Sequence, residues 1–122
     1  MVVVLDPDAA SAHELRQSFE AAGLETVDFT DLVAAGDYLR QTKPDLLVID
    51  PEVADVDGAK VVQFVGNKYA AGGVPMIVQS IEDDPRVIAT VNSLHGAKFV
   101  HKVDGNAPQL LSIAREMLKA SC

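Results

Sequence analysis

Between Leu46 and Gly58 the chain reads LLVIDPEVADVDG: four apolar residues rich in branched side chains stop abruptly at Asp50, and a proline, an acidic stretch and a glycine follow. A run that is apolar at every position, rather than at alternate positions, reads as a strand buried on both faces, as in parallel sheets covered by helices. In open α/β sheets the carboxyl ends of the strands border the crevice where ligands collect. The sequence therefore delivers one carboxylate, Asp50, to the edge of the fold where chemistry is expected.

The rest of the chain repeats the pattern. Val2 to Leu5 is a short apolar run ending at Asp6-Pro7-Asp8, after which Ala12, Leu15, Phe19 and Ala22 fall at helical spacing and Gly23 supplies a stop. Glu25 to Phe29 alternates as a short strand. Thr30 or Asp31 can cap a helix carrying Leu32, Val33, Ala35, Tyr38 and Leu39, closed by Lys43-Pro44. Val61, Val62, Phe64, Val65 and Tyr69 predict a helix from about Ala59 to Ala70, ended by Gly72-Gly73. Met76 to Gln79 is a further apolar strand, ending at Ser80. Asp84 as N-cap and Pro85 at the first helical position open a helix with the stripe Val87, Ile88, Val91 and Leu94, stopped at His95-Gly96. Ala97 to His101 forms the last strand and leads into Lys102. Asn106-Ala107-Pro108 begins a final helix with Leu110, Leu111, Ile113, Ala114, Met117 and Leu118 facing inward. Five strands alternating with five helices, joined by short turns, imply right-handed crossovers and an α/β doubly wound five-stranded parallel sheet. Periodicity alone leaves the strand order open.

The 122 residues, 48% of them hydrophobic, suit a single domain over 1–122. The net charge of −8 repels nucleic-acid phosphate and anionic membrane, so neither is an expected partner. No apolar run reaches the ~18 residues that would suggest a bilayer span, and no charged leader precedes Val2, so a soluble, unprocessed chain is expected. The single cysteine, Cys122, has no partner for an internal disulfide, in keeping with a cytoplasmic location. It is read as a chain-end residue.

Four strands end in Asp6, Asp50, Ser80 and Lys102, so two carboxylates, a hydroxyl and an ammonium are expected to converge across one edge. A carboxylate can attack a phosphoryl group, a cation and hydrogen-bond donors can meet the charge on the transferring oxygens, and further carboxylates can hold Mg²⁺. Each residue has a plainer reading. Asp50 could be a solvated turn carboxylate or an N-cap, Asp6 could be only a helix-cap residue, Asp8 suits the cap of the first helix, Ser80 could cap a turn, and Lys102 could be an ordinary surface lysine. Asp83 and Asp84 read as solvated charge and cap, and His13 and His95 as exposed helix residues. His101 is expected to point away from Lys102 in a structural role, and Phe99 could simply pack.

Taken in order, LDPD, PDLLVID with its following DG, PMIVQS, EDD and GAKFVHK resemble the response-regulator receiver domains of two-component signalling, over essentially the whole chain. The resemblance implies a flavodoxin-like sheet of order 2-1-3-4-5. It implies that Asp50 accepts a phosphoryl group from a histidine kinase or phosphotransfer protein, with at most self-catalysed transfer and dephosphorylation as enzymatic activity. Asp6, Asp50 and the backbone carbonyl of Glu52 would hold Mg²⁺, with Asp8 a weaker candidate. Ser80 would move to the phosphoryl oxygen and Lys102 would pair with it. Phe99 would follow Ser80 and couple the site to the face of the fourth helix, fifth strand and fifth helix, where an output partner or a second copy docks.

Three positions depart from the family pattern. Pro7 stands where a second metal-binding acid is usual. Pro51 follows Asp50, with Ala54 where a proline is usual. Val103 replaces the proline that usually follows the lysine, and Gly96 to Lys102 is one residue short. Pro7 favours an alternative: a pseudoreceiver, the same fold acting as a phosphorylation-independent interaction or dimerisation module. A third reading takes Asp6-Pro7-Asp8 as the D-x-D of a dehalogenase-like phosphatase; the missing cap domain and the absence of paired acids after Lys102 count against it. No G-x-G-x-x-G follows the first strand, which counts against a dinucleotide.

Overall fold

The structure, a computed structural model, describes residues 1–53, 57–103 and 105–120. Ala54 and Cys122 lie outside the described residues. The elements run β1 (Val2–Leu5), α1 (Ala9–Ala21), β2 (Thr26–Phe29), α2 (Leu32–Gln41), β3 (Leu46–Ile49), a single 3₁₀ turn (Pro51–Val53), α3 (Gly58–Val65), a π-helical turn (Gly66–Ala70), β4 (Met76–Ser80), α4 (Pro85–Ser93), β5 (Ala97–His101) and α5 (Ala107–Ala120). All strand pairings are parallel and the sheet order is β2-β1-β3-β4-β5.

Every residue of β1, β3 and β4 is buried, as the uninterrupted apolar runs of β1 and β3 require, and in β4 the burial extends to the polar Gln79 and Ser80. Side chains alternate across the sheet and divide the core in two. Val3, Leu5, Leu47, Ile49, Met76 and Val78 meet Ala35 of α2, Val61, Val62 and Val65 of α3, and Val87 and Val91 of α4. Val2, Val4, Leu46, Val48, Ile77 and Val100 meet Ala12, Leu15 and Phe19 of α1 and Leu110 and Ala114 of α5. Fully burying a side chain of this size contributes roughly 1.5–3 kcal/mol, so the two layers hold the sheet edge in place.

The helix starts are fixed chemically. The carboxylates of Asp8, Asp31, Asp57 and Asp84 accept hydrogen bonds from free N–H groups in the first turns of α1 to α4. Gly23 and Gly96 take φ of +88° and +83°, the left-handed turns that bring the chain back to the sheet. Two boundaries differ from the sequence expectation. The single helix expected from about Ala59 to Ala70 is divided, with regular turns ending at Val65 and a wider turn carrying Gly66 to Ala70. Here Gly66 lies against Leu94, and a Cβ on it would stand 2.3 Å from Leu94 Cδ1. The helix expected to stop at His95-Gly96 ends at Ser93, with Leu94 already extended (φ −96°, ψ 132°).

Candidate functional site

The strand register places the site. Leu5 pairs with Ile49 and Ile49 with Val78, so one residue further along, Asp6, Asp50 and Gln79 form the next cross-strand row. Main-chain bonds continue the ladder into it, with Asp50 N–H donating to Leu5 carbonyl at 2.8 Å and Asp6 N–H to Phe29 carbonyl at 3.0 Å. Lys102 N–H donates to the Ser80 carbonyl at 2.7 Å, fixing the start of the lysine's reach.

That reach ends between the two acids. Lys102 Nζ lies 2.6 Å from Asp6 Oδ2 and 3.0 Å from Asp50 Oδ2, while the acid side chains are 0% and 2% exposed. Their other oxygens are also engaged: Asp6 Oδ1 accepts the Asp8 N–H at 2.9 Å and Asp50 Oδ1 accepts the Glu52 N–H at 2.9 Å. Loss of water lowers the Lys102 pKa, but hydrogen bonds to Asp6 and Asp50 and their charges outweigh it, and the net shift is upward. The Glu52 carboxyl is pushed above the usual carboxylate range, first by partial desolvation and then by the neighbouring Asp50 charge, with Glu82 and Asp6 adding to it and Lys102 opposing. The edge therefore carries more negative charge than its ammonium balances.

The remaining expected residues take distinct places. Ser80 is buried at the end of β4, and its hydroxyl accepts the Glu82 N–H at 3.1 Å rather than meeting Asp50. Phe99 is half-buried and packs on the core layer of α2, α3 and α4. Asp8 caps α1, its Oδ1 accepting from Ala10 and Ser11 N–H at 3.0 and 3.5 Å. Asp84 caps α4 as expected, whereas Asp83 is more than solvated charge: its Oδ1 lies 2.8 Å from His101 Nδ1, tying the β4–α4 turn to the end of β5. Gln79 was not singled out from the sequence, where it closes an apolar run. A polar residue inside a run on a central strand was the available signal.

The donor set suits a hard divalent ion in chemistry and charge. Asp6, Asp50 and the Glu52 carbonyl all offer oxygen, and the acid surplus favours a cation. Pro7 supplies no side-chain oxygen, and among the described residues no group of three His, Cys, Asp or Glu side chains could hold a metal ion. The edge thus offers two carboxylates and a carbonyl, one anionic group fewer than three acids would give.

A five-stranded sheet of this order, with a buried acid at the end of its central strand paired to a lysine after the last strand, defines a class of signalling module. The family model for the response regulator receiver domain matches residues 2–115, and the chain belongs to that family. It is 32% identical over 97 residues, 79% of this chain, to a protein-glutamate methylesterase/protein-glutamine glutaminase of Anaeromyxobacter dehalogenans, covering 27% of that protein. It is 30% identical over 81 residues, 66% of this chain, to the heme response regulator HssR of Staphylococcus haemolyticus, covering 35% of it. The chain thus spans about a third or less of these relatives' lengths. Among solved structures, a CheY-like receiver domain protein from Methanospirillum hungatei has a TM-score of 0.83 at 17% identity, covering 98% of this chain and 94% of that one. The receiver domain of a Francisella response regulator also gives 0.83, at 21% identity, covering 99% and 98%. The beryllofluoride-activated NtrC4 receiver domain dimer gives 0.81 at 17% identity, covering 99% and 98%. At these identities the likeness establishes the fold. Among the described residues no helix is long and apolar enough to cross a membrane.

Proposed function

We propose that this chain is a phosphorelay receiver in which Asp50 accepts a phosphoryl group from a histidine kinase or phosphotransfer protein in the cytoplasm. The observation that carries the reading is the contact of Lys102 Nζ with Asp50 Oδ2 at 3.0 Å, across 52 residues of sequence. Asp50 would attack phosphorus through a carboxylate oxygen, forming an acyl phosphate and leaving the donor's side chain as the departing group. Lys102 would then exchange its contact with Asp50 for one with a phosphoryl oxygen. Asp6, Asp50 and the Glu52 carbonyl would hold Mg²⁺, which neutralises charge on the phosphoryl group when bound. Ser80 would leave the Glu82 N–H to reach the new oxygens, with Phe99 following. The β4–α4 turn and the face of α4, β5 and α5 would carry the change to an output partner or a second copy.

The test is labelling by acetyl phosphate with and without Mg²⁺, read by intact mass. Wild type should gain one phosphoryl group and Asp50→Asn none. Labelling that persists in Asp50→Asn would assign the acceptor elsewhere.

Pro7 supports a second reading, a pseudoreceiver that works without phosphorylation. Pro7→Asp separates the two: a large gain in Mg²⁺ affinity together with an unlabelled wild type supports the pseudoreceiver. Little gain with a labelled wild type supports the relay.

A further inference from the structure

The cleft that holds Asp50 does not end there. A cavity of ≈ 450 Å³ continues from Lys102 and Asp50 toward the layer of α1 and α5, between Ser11, Glu14 and Leu15 on one side and Asn106, Ala107 and Leu110 on the other, with Gln79 also in its lining. Its volume falls in the range of small-molecule sites.

Gln79 is the unusual member. It is 2% exposed, on the sheet face whose other side chains are Val2, Val4, Leu46, Val48, Ile77 and Val100. Among the described residues no hydrogen bond engages its amide, and no enclosed side-chain nitrogen or oxygen lacks a partner, so the amide opens on the cavity it lines. Opening on the cavity spares the amide the cost of an enclosed unpaired group, and in an otherwise apolar layer it offers a hydrogen-bonding partner to a group that enters the cavity. Ser11 and Glu14 line the same space, and among the described residues no hydrogen bond engages their side chains. Ser11, Glu14 and Leu15 lie three and four residues apart, so one stripe of α1 presents them together.

The lining selects the ligand's charge. Asp6, Asp8, Glu14, Asp50 and Glu52 stand against a single ammonium, Lys102, which is itself held by two of these acids. An anion is repelled and a cation attracted. Leu15, Ala107 and Leu110 offer apolar walls to a short aliphatic chain. We propose that this cavity binds a small organic cation, an alkyl chain bearing N–H donors such as a guanidinium or primary amine, with Gln79 as the buried acceptor and Glu14 as the counter-charge at the rim. The cavity shares Asp6, Asp50, Glu52 and Lys102 with the proposed phosphorylation site, so the organic cation and Mg²⁺ would compete for the same acids.

The experiment is an NMR titration of the ¹⁵N-labelled chain with agmatine, which carries both cationic groups on a four-carbon chain. Wild type should show saturable shifts of the Gln79 side-chain amide and of the Ser11, Glu14 and Leu110 backbone amides. Gln79→Leu, which keeps the layer packed, should weaken binding about tenfold, the size expected for one lost hydrogen bond to a charged donor. Glu14→Gln, an exposed change that spares the fold, should weaken it several-fold. Tetramethylammonium, a cation without N–H donors, should leave the Gln79 amide unmoved. Absence of saturable shifts in wild type, or agmatine affinity equal in Gln79→Leu and wild type, overturns the proposal and leaves the amide to water. Labelling of Asp50 in the absence of agmatine is decided separately, by the comparison with Asp50→Asn.

Discussion

Replacing Lys102 by methionine removes the ammonium and keeps most of the stem's volume. In the structure Nζ lies within 3.0 Å of both Asp6 Oδ2 and Asp50 Oδ2, so the two oxygens are less than about 6 Å apart. Two unit charges at ~5.5 Å repel by about 3 kcal/mol at an effective dielectric near 20. Breaking a buried ion pair by deleting one partner costs about 3–5 kcal/mol. At neutral pH Lys102→Met should therefore lose ~3–5 kcal/mol and melt roughly 12–20 °C lower. The loss carries a pH signature, because the repulsion needs both carboxylates charged and fades in acid, where either one is protonated. In the wild type, the raised pKa of Lys102 contributes stability that is complete below its ordinary 10.5 and is lost only as pH climbs through the folded value. Urea unfolding followed by circular dichroism across the acid-to-neutral range should show the gap between variant and wild type widening with pH. Mg²⁺ at millimolar concentration should narrow it at neutral pH. A gap below about 1 kcal/mol at neutral pH, the worth of an exposed pair, would refute the reasoning, as would a gap that does not change with pH.

Gly66→Ala sets a new Cβ 2.3 Å from Leu94 Cδ1, and should destabilise by about 1–2 kcal/mol in chemical denaturation, the clash outweighing the helix preference of alanine. Adding Leu94→Ala should recover part of that loss, a coupling that a double-mutant cycle will measure. Glu52→Gln should stabilise the protein at neutral pH by a few tenths of a kcal/mol after solvent screening. The raised Glu52 pKa makes its ionised form the unfavourable one once the pH exceeds the folded value, so the gain should vanish below its ordinary 4.5. Asp31→Ala removes the side chain that accepts the Val33 N–H at 2.8 Å and should cost about 1 kcal/mol, read as a lower denaturation midpoint.

Val2–Leu5, Leu46–Ile49 and the Met76–Val78 start of the fourth strand were legible because a strand covered on both sides needs apolar residues at successive positions, and few other elements do. Asp6 and Asp50 were legible for the same reason, as the acids where such runs stop. The strand order came from resemblance, since local periodicity carries no record of which strand lies beside which. The turn at Gly66 was hidden because hydrophobic spacing reports which face is buried and not how the backbone closes its hydrogen bonds. Ser80 was placed correctly in the chain, but the partner of its hydroxyl depends on a side-chain rotation set by the Glu82 N–H. Gln79 escaped because the eye groups it with the apolar residues before it, although alternation and register put it in the row of Asp6 and Asp50.

Lys102 is joined to β4 by its main chain and to β1 and β3 by its side chain, directly after β5. β5 has one neighbour in the sheet and a single fully buried residue, Val100. A tug on that ammonium is therefore borne by an outer rim of the sheet, while the interior strands stay where their packing fixes them.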